Sequence, residues 1–306
     1  MFATLPRYAI TAAAVGLVAL PSFSVHAITG GVSVDEVLAA GAGSRYTERQ
    51  VAFARAVSAA TVALFNGTDG SLCSATIVHP RVVLTAAHCV LSGQEASRRI
   101  VVLFEGGAAR RQALAVVVHP GALKQTRSRS SRPQIPNGHQ SVKVDSSFMS
   151  ADFALVLLHR PIPEAHEVVA PVPRGFRDSR TATKLIAGYG IVDGYRSLEK
   201  LSLHFAELQG NSKLDEGAVS GEGEIIMESR YRDGARVNVC SGDSGGPIFV
   251  IDRAASRLRQ LAVTSAADPH CREVAIFASI DSQRVVLREM FDELMEGELG
   301  AEENPF

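Results

Sequence analysis

A succession of short β-branched or alternating runs, separated by turns rather than long helices, most constrains the fold of this chain. The runs cover Ala60 to Phe65, Leu72 to Val78, Val82 to Thr85, Ile100 to Phe104 and Ala113 to Val118. They resume at Phe153 to Leu158, Leu201 to Leu208, Gly223 to Met227, Pro247 to Ile251, Arg259 to Thr264 and Val274 to Ile280. Alternation with period two buries one face of a strand, and strands without helical crossovers pair antiparallel. A parallel α/β sheet is therefore excluded. Two segments depart from the pattern. Glu48 to Ala60 reads as a candidate helix, and Val286, Leu287, Met290, Phe291 and Leu294 fall at the spacing of a terminal amphipathic helix.

The first 27 residues stand apart. Arg7 precedes an uncharged apolar run from Ala9 to Leu20, Pro21 breaks it, and Val25-His26-Ala27 offers a small-residue cleavage site. This is the pattern of a secretory signal. Twelve residues cannot span a ~30 Å hydrocarbon layer as a helix, and no other run is long enough, so no membrane span is expected. Export gives meaning to Cys73, Cys89, Cys240 and Cys271, an even set in a compartment where disulfides persist. Three pairings are open, and zinc-ligand spacings do not occur.

The 306-residue chain has 31 basic and 32 acidic residues, few aromatics and no Trp. Nucleic acid is thus excluded as the main partner, since its binding calls for basic excess and stacking platforms. The charge is nevertheless uneven. No acid lies between Glu105 and Asp145, where Arg110, Arg111, Lys124, Arg127, Arg129, Arg132 and Lys143 gather. The basic loop 110–143 reads as a long solvated loop and a candidate polyanion contact. The acidic tail, 298–306, reads as a frayed end.

The chemistry sits in three segments. Leu84 to Cys89 (LTAAHC) ends a strand with a histidine; Ala151 to Leu158 (ADFALVLL) opens one with an acid; Cys240 to Pro247 (CSGDSGGP) places a serine among glycines. A serine hydroxyl becomes a nucleophile when an imidazole takes its proton, and a carboxylate fixes the imidazole's tautomer. The competing GxSxG elbow needs its acid and base downstream of the serine, where His270 is the sole histidine, and it also needs helix-alternating strands. That reading fails.

In order and content these segments resemble the trypsin/chymotrypsin family of serine endopeptidases. The resemblance implies two antiparallel six-stranded β-barrels, about 28–160 and 161–297, with the active site in the cleft between them and a C-terminal α-helix. It implies His88 as general base, Asp152 as its orienting carboxylate, Ser244 as nucleophile, and the N–H groups of Gly242 and Ser244 as the oxyanion hole. Ser265 matches the serine that supports the triad aspartate, and Gly188-Tyr189-Gly190 matches a Gly-aromatic-Gly turn. The implied disulfides are Cys73–Cys89 and Cys240–Cys271. Protein or peptide substrates are implied; no metal or organic cofactor is.

The same resemblance sets Asn238 at the floor of the primary specificity pocket, with Ala267 and Ala275 as its walls. A neutral floor and two added methyls favour small or medium uncharged side chains, though Asp268 near the rim could draw a base. Ala266 stands where the family commonly has Trp. Ile28-Thr29-Gly30-Gly31 resembles the family's mature N-terminus, whose ammonium pairs with the acid before the nucleophile, here Asp243. It follows the signal cleavage site directly, so signal removal is expected to create the active terminus. The alternative is a propeptide cut near Val51 or Ala56. The other function class is a catalytically weak polyanion-binding protein on the same fold.

Overall fold

The computed structural model describes residues 28–93, 95–126, 149–176, 182–190, 201–208, 224–228, 237–252, 257–268, 270–296 and 304–306. The signal segment 1–27, the centre of the basic loop (127–148) and most of the acidic tail lie outside the described residues. Among the described residues, no helix is long and apolar enough to cross a membrane.

The first unit is a closed barrel of six antiparallel strands: β2 (Thr61–Asn66), β3 (Ser71–His79), β4 (Val82–Thr85), β7 (Ile100–Phe104), β8 (Ala109–Val118) and β9 (Ala154–Leu158). Between β4 and β7 lie α3 (Ala87–Val90) and the small β5–β6 hairpin (Leu91–Ser92, Glu95–Ala96). The helix α4 (Pro120–Thr126) follows β8. Leu64, Ile77, Leu84, Phe104, Phe153 and Leu155 fill the interior.

The second unit is a seven-stranded antiparallel sheet in the order β1-β11-β10-β13-β14-β15-β12. Its strands are β1 (Val32–Ser33), β10 (Lys184–Gly188), β11 (His204–Leu208), β12 (Glu224–Glu228), β13 (Pro247–Asp252), β14 (Arg257–Ala267) and β15 (Val274–Ser279). The expected six strands are β10 to β15, and the seventh is β1, added from the N-terminal segment. No pairing closes β1 onto β12 among the described residues, so the closed barrel expected here is described as a sheet.

The candidate helix is present as α2 (Glu48–Ala60), following a short α1 (Val34–Ala40). Thr47 and Gln50 form a capping box, each side chain meeting the other's backbone N–H at 3.2 and 2.9 Å. Two of the orphan donors of the first turn are satisfied in this way. Val51, Ala54, Val57 and Ala60 are buried along one side of α2. They share a core with Val34 and Val37 of α1, Ala63 of the barrel, and Leu185, Phe205 and Phe249 of the sheet. Residues 28–60 are thus part of the packing that joins the two units.

The terminal helix is α5 (Ile280–Met295), which buries Leu287, Met290, Phe291 and Leu294 against the first barrel. The end of the tail is not frayed. Asn304 donates to Asp292 Oδ1 at 2.7 Å, and Phe306 is buried against Phe291, their ring centroids 6.5 Å apart. Burial of the Phe306 ring and the Asn304 hydrogen bonds both favour this ordered end.

Candidate active site

His88 is the second residue of α3, immediately after β4, and Asp152 lies in the turn that opens β9. β4 and β9 are paired, with Thr85 opposite Ala154, so the strand register delivers the imidazole and the carboxylate to the same end of the barrel. Asp152 Oδ2 lies 2.7 Å from His88 Nδ1, and Oδ1 accepts the His88 backbone N–H at 3.0 Å. Ser265 Oγ donates to Oδ2 at 2.6 Å. Asp152 is fully buried, while the His88 side chain keeps 35% exposure. A buried carboxylate with three donors is held in one orientation. It fixes the tautomer with the proton on Nδ1 and leaves Nε2 as the basic nitrogen.

Ser265 reaches Asp152 because of a bulge. Thr264 pairs with Phe277 and Ala266 with Ile276, leaving Ser265 as the extra residue of β14. Bulges re-aim a side chain, and this one turns a strand residue of the second unit toward an acid of the first.

Ser244 sits in the turn before β13, partly buried between buried Asp243 and Gly245. Its carbonyl accepts the Ser74 N–H at 2.7 Å. Gly245 has φ +80°, and a Cβ there would overlap Thr85 Oγ1 and the Ser74 carbonyl and meet Ala86 N at 3.0 Å. Only glycine lets the serine turn press on the strand end that leads into His88. The disulfides Cys73–Cys89 and Cys240–Cys271 are both formed, with Cα separations of 6.1 and 5.1 Å. The first anchors the residue after His88. The sulfurs of Cys73 and Cys89 and a nitrogen of His88 lie within 4.8 Å of one another, but disulfide sulfurs are not thiolate ligands.

Asp243 is fully buried. Its carboxylate accepts the N–H of Gly190 at 2.9 Å and of Cys240 at 2.8 Å. It lies across Gly188, where any Cβ would overlap Oδ1, and this accounts for the first glycine of Gly188-Tyr189-Gly190. Burial pushes its pKa well above the usual carboxylate value, against the two backbone donors. Among the described residues no basic side chain pairs with it.

Ile28 is buried in the core of the second unit with Val172, Ile186, Val239 and Ile248. Thr29 and Asn238 exchange both backbone hydrogen bonds, at 2.9 and 3.2 Å. Asn238 Oδ1 accepts the Val239 N–H, and Nδ2 donates to Asp268 Oδ2 at 3.2 Å. Ala267 and Ala275 face each other across the β14–β15 pair. Asp268 also accepts the backbone N–H groups of His270, Arg272, Glu273 and Val274. Burial works to raise the Asp268 pKa, but these four donors prevail and hold it below the ordinary value. The carboxylate is charged and already engaged, a commitment that sequence alone did not show.

His119 was not singled out from the sequence. It braces the acid's turn: its N–H donates to the Phe153 carbonyl at 2.9 Å, Nδ1 accepts the Gly121 N–H at 3.0 Å, and Nε2 lies 3.1 Å from Gln283 Oε1. Burial lowers its pKa, in keeping with a neutral ring that accepts at Nδ1 and donates at Nε2.

The sequence was also compared with known families, and the trypsin family matches residues 50–284, most of the chain. The chain belongs to the trypsin family. The match opens inside α2, so the docking of Ile28 and Thr29 rests on the structure and not on the family comparison. A search of curated proteins found no match.

Proposed function

We propose that the chain is an exported serine endopeptidase that cuts peptide bonds through an acyl-enzyme, with Ser244 as nucleophile, His88 as base and Asp152 as orienting group. The observation that carries this reading is the buried Asp152 carboxylate, held by Ser265, the His88 backbone N–H and His88 Nδ1 on one side while the imidazole stays accessible on the other. His88 Nε2 takes the Ser244 proton as Oγ attacks the scissile carbonyl and later returns it to the leaving amine. The Gly242 and Ser244 N–H groups receive the developing oxyanion. The complete triad favours this over the polyanion-binding reading, which has the exposed Arg110 in its support; Arg111 is turned to the carbonyls of Arg110 and Pro161.

The pocket residues support a preference for small or medium uncharged side chains. Asn238 brings no charge, and the Asp268 carboxylate is engaged by four backbone donors and by Asn238 itself. Incubation of the mature protein with a peptide library, with cut sites read by mass spectrometry, should show internal cleavage after such residues. Predominant cleavage after Arg or Lys would overturn the pocket assignment, and a properly folded protein that cuts nothing would favour the binding reading.

Activation by signal removal fits the same frame. Thr29 pairs with Asn238, Ile28 is buried in one cluster with Val239 and Ile248, which flank the serine loop in sequence, and Asp243 is a buried acid that a new ammonium could neutralise. A cut near Val51 or Ala56 would instead remove the buried Val34 and Val37. Expression from a retained methionine before Ile28 should lower kcat/KM by ~10²–10⁴-fold, since an unpaired buried charge costs ~3–5 kcal/mol.

The sign of the accompanying pH effect follows from linkage. Without the ammonium, the folded pKa of Asp243 lies above the unfolded ~3.9, so the folded state binds more protons in that window. The stability of the methionine-extended protein then declines as pH rises from about 4 through the folded pKa. Pairing removes that penalty, so the Tm gap between processed and extended protein should widen toward neutral pH. A constant gap, or a fully active extended protein, would contradict the pairing.

A further inference from the structure

We infer that Ser74, two residues beyond Leu72 in β3 and far in sequence from Ser244, is a positioning residue for the oxyanion loop. The inference rests on the endopeptidase reading above. Ser74 is fully buried. Its hydroxyl donates to the Gly242 carbonyl at 3.0 Å and accepts the Tyr189 N–H at 2.8 Å. Its own N–H donates to the Ser244 carbonyl at 2.7 Å, and its carbonyl accepts Thr85 Oγ1 at 2.8 Å. One residue of the first barrel thus holds the carbonyls on both sides of Asp243 and ties them to the strand end before His88.

The direction of the relay is fixed. A backbone N–H can only donate, so the hydroxyl accepts from Tyr189, and its single proton is left for Gly242. Gly242 has φ +95° and no side chain to restrain it. The Ser74 contact fixes the peptide plane between Gly242 and Asp243, which lies between the two N–H groups assigned to the oxyanion. Removing the hydroxyl leaves a buried acceptor at Gly242 and a buried donor at Tyr189 without this partner, and rotation of the glycine peptide becomes a way to regain one. A donor aimed at developing charge acts only while its direction is held, so the loss should appear in the transition state.

The test compares mature wild type, Ser74→Ala and Ser74→Cys by steady-state peptide hydrolysis and by binding of a peptide aldehyde, whose hemiacetal oxygen occupies the oxyanion position. Ser74→Ala should lower kcat about tenfold with KM within twofold, and weaken the aldehyde by a similar factor. Ser74→Cys, which keeps a weaker donor, should fall between the two and carries the comparison if the alanine variant does not fold. Unchanged kcat and aldehyde affinity in a wild type that is itself active would remove this inference alone. A rise in KM with kcat and aldehyde affinity intact would reduce Ser74 to packing and equally overturn it. A folded wild type inert toward both substrate and aldehyde would bring down the endopeptidase reading and this inference with it.

Discussion

Ser244→Ala is expected to lower kcat by ~10⁵–10⁶-fold, the scale for losing the nucleophile of a triad that acts as a unit, while shifting stability by no more than ~0.5 kcal/mol. The two effects separate because Ser244 has two roles in different atoms. Its Oγ is the atom that would form the acyl bond. Its carbonyl, which the alanine variant keeps, accepts the Ser74 N–H at 2.7 Å and holds the turn. The glycines on either side of Asp243 and Ser244 and the Cys240–Cys271 bridge are untouched. Matched thermal unfolding of the two proteins together with a fall in kcat below one part in ten thousand would support the assignment. Retention of more than about a hundredth of the wild-type kcat would contradict it.

Asp152→Asn should come next in size, at about 10⁴-fold in kcat, the general magnitude for losing the orienting carboxylate of such a triad. The reason can be read from the three donors that converge on Asp152. His88 Nδ1 and Ser265 Oγ both meet Oδ2, and the His88 N–H meets Oδ1. An asparagine offers one acceptor and one NH₂, so whichever way the amide turns, a donor faces a donor. With the NH₂ toward His88 Nδ1, the ring must carry its proton on Nε2, and the base is lost. With the NH₂ toward the His88 backbone, the start of α3 is pushed from its place. Steady-state kinetics on a peptide cut by wild type would measure the drop, and a loss smaller than tenfold would mean that Asp152 does not set the tautomer.

Much of this arrangement was legible in the sequence because it is local. Val82–Thr85 and Ile100–Phe104 are observed with the boundaries expected from their β-branched runs, and Glu48–Ala60 is the expected helix. The candidate catalytic segments were recognisable because a histidine at a strand end, an acid opening a strand and a serine between glycines each need a specific neighbourhood. What escaped was made by tertiary contact. β10, Lys184–Gly188, is short and follows a polar stretch, and its strand character comes from pairing on both sides with β11 and β13. β1 has two residues and exists because Val32 and Ser33 meet Phe205 and His204. Ser265 could be named only through the family resemblance, since a bulge leaves no mark in residue periodicity. Ser74 looks like an ordinary alternating strand residue, and its partners at Tyr189 and Gly242 lie more than a hundred positions away.

The expected frayed tail shows the limit from the other side. Its acids argue for solvation, yet Phe306 at the last position is buried on α5. Composition averaged over the segment concealed one residue with a strong preference for the core. Asp268 is similar: as a lone acid near a specificity pocket it suggested a cation receptor, whereas four backbone donors make it the organiser of its own loop.

The central claim is that Ser244 is a nucleophile activated by His88. Its most direct measurement is the site and stoichiometry of reaction with a fluorophosphonate, read by intact mass and peptide mapping on the mature protein. The account predicts one adduct per chain, on Ser244, formed by wild type and absent from Ser244→Ala and His88→Ala. A folded wild-type protein that stays unlabelled, or an adduct carried by another residue, would contradict it.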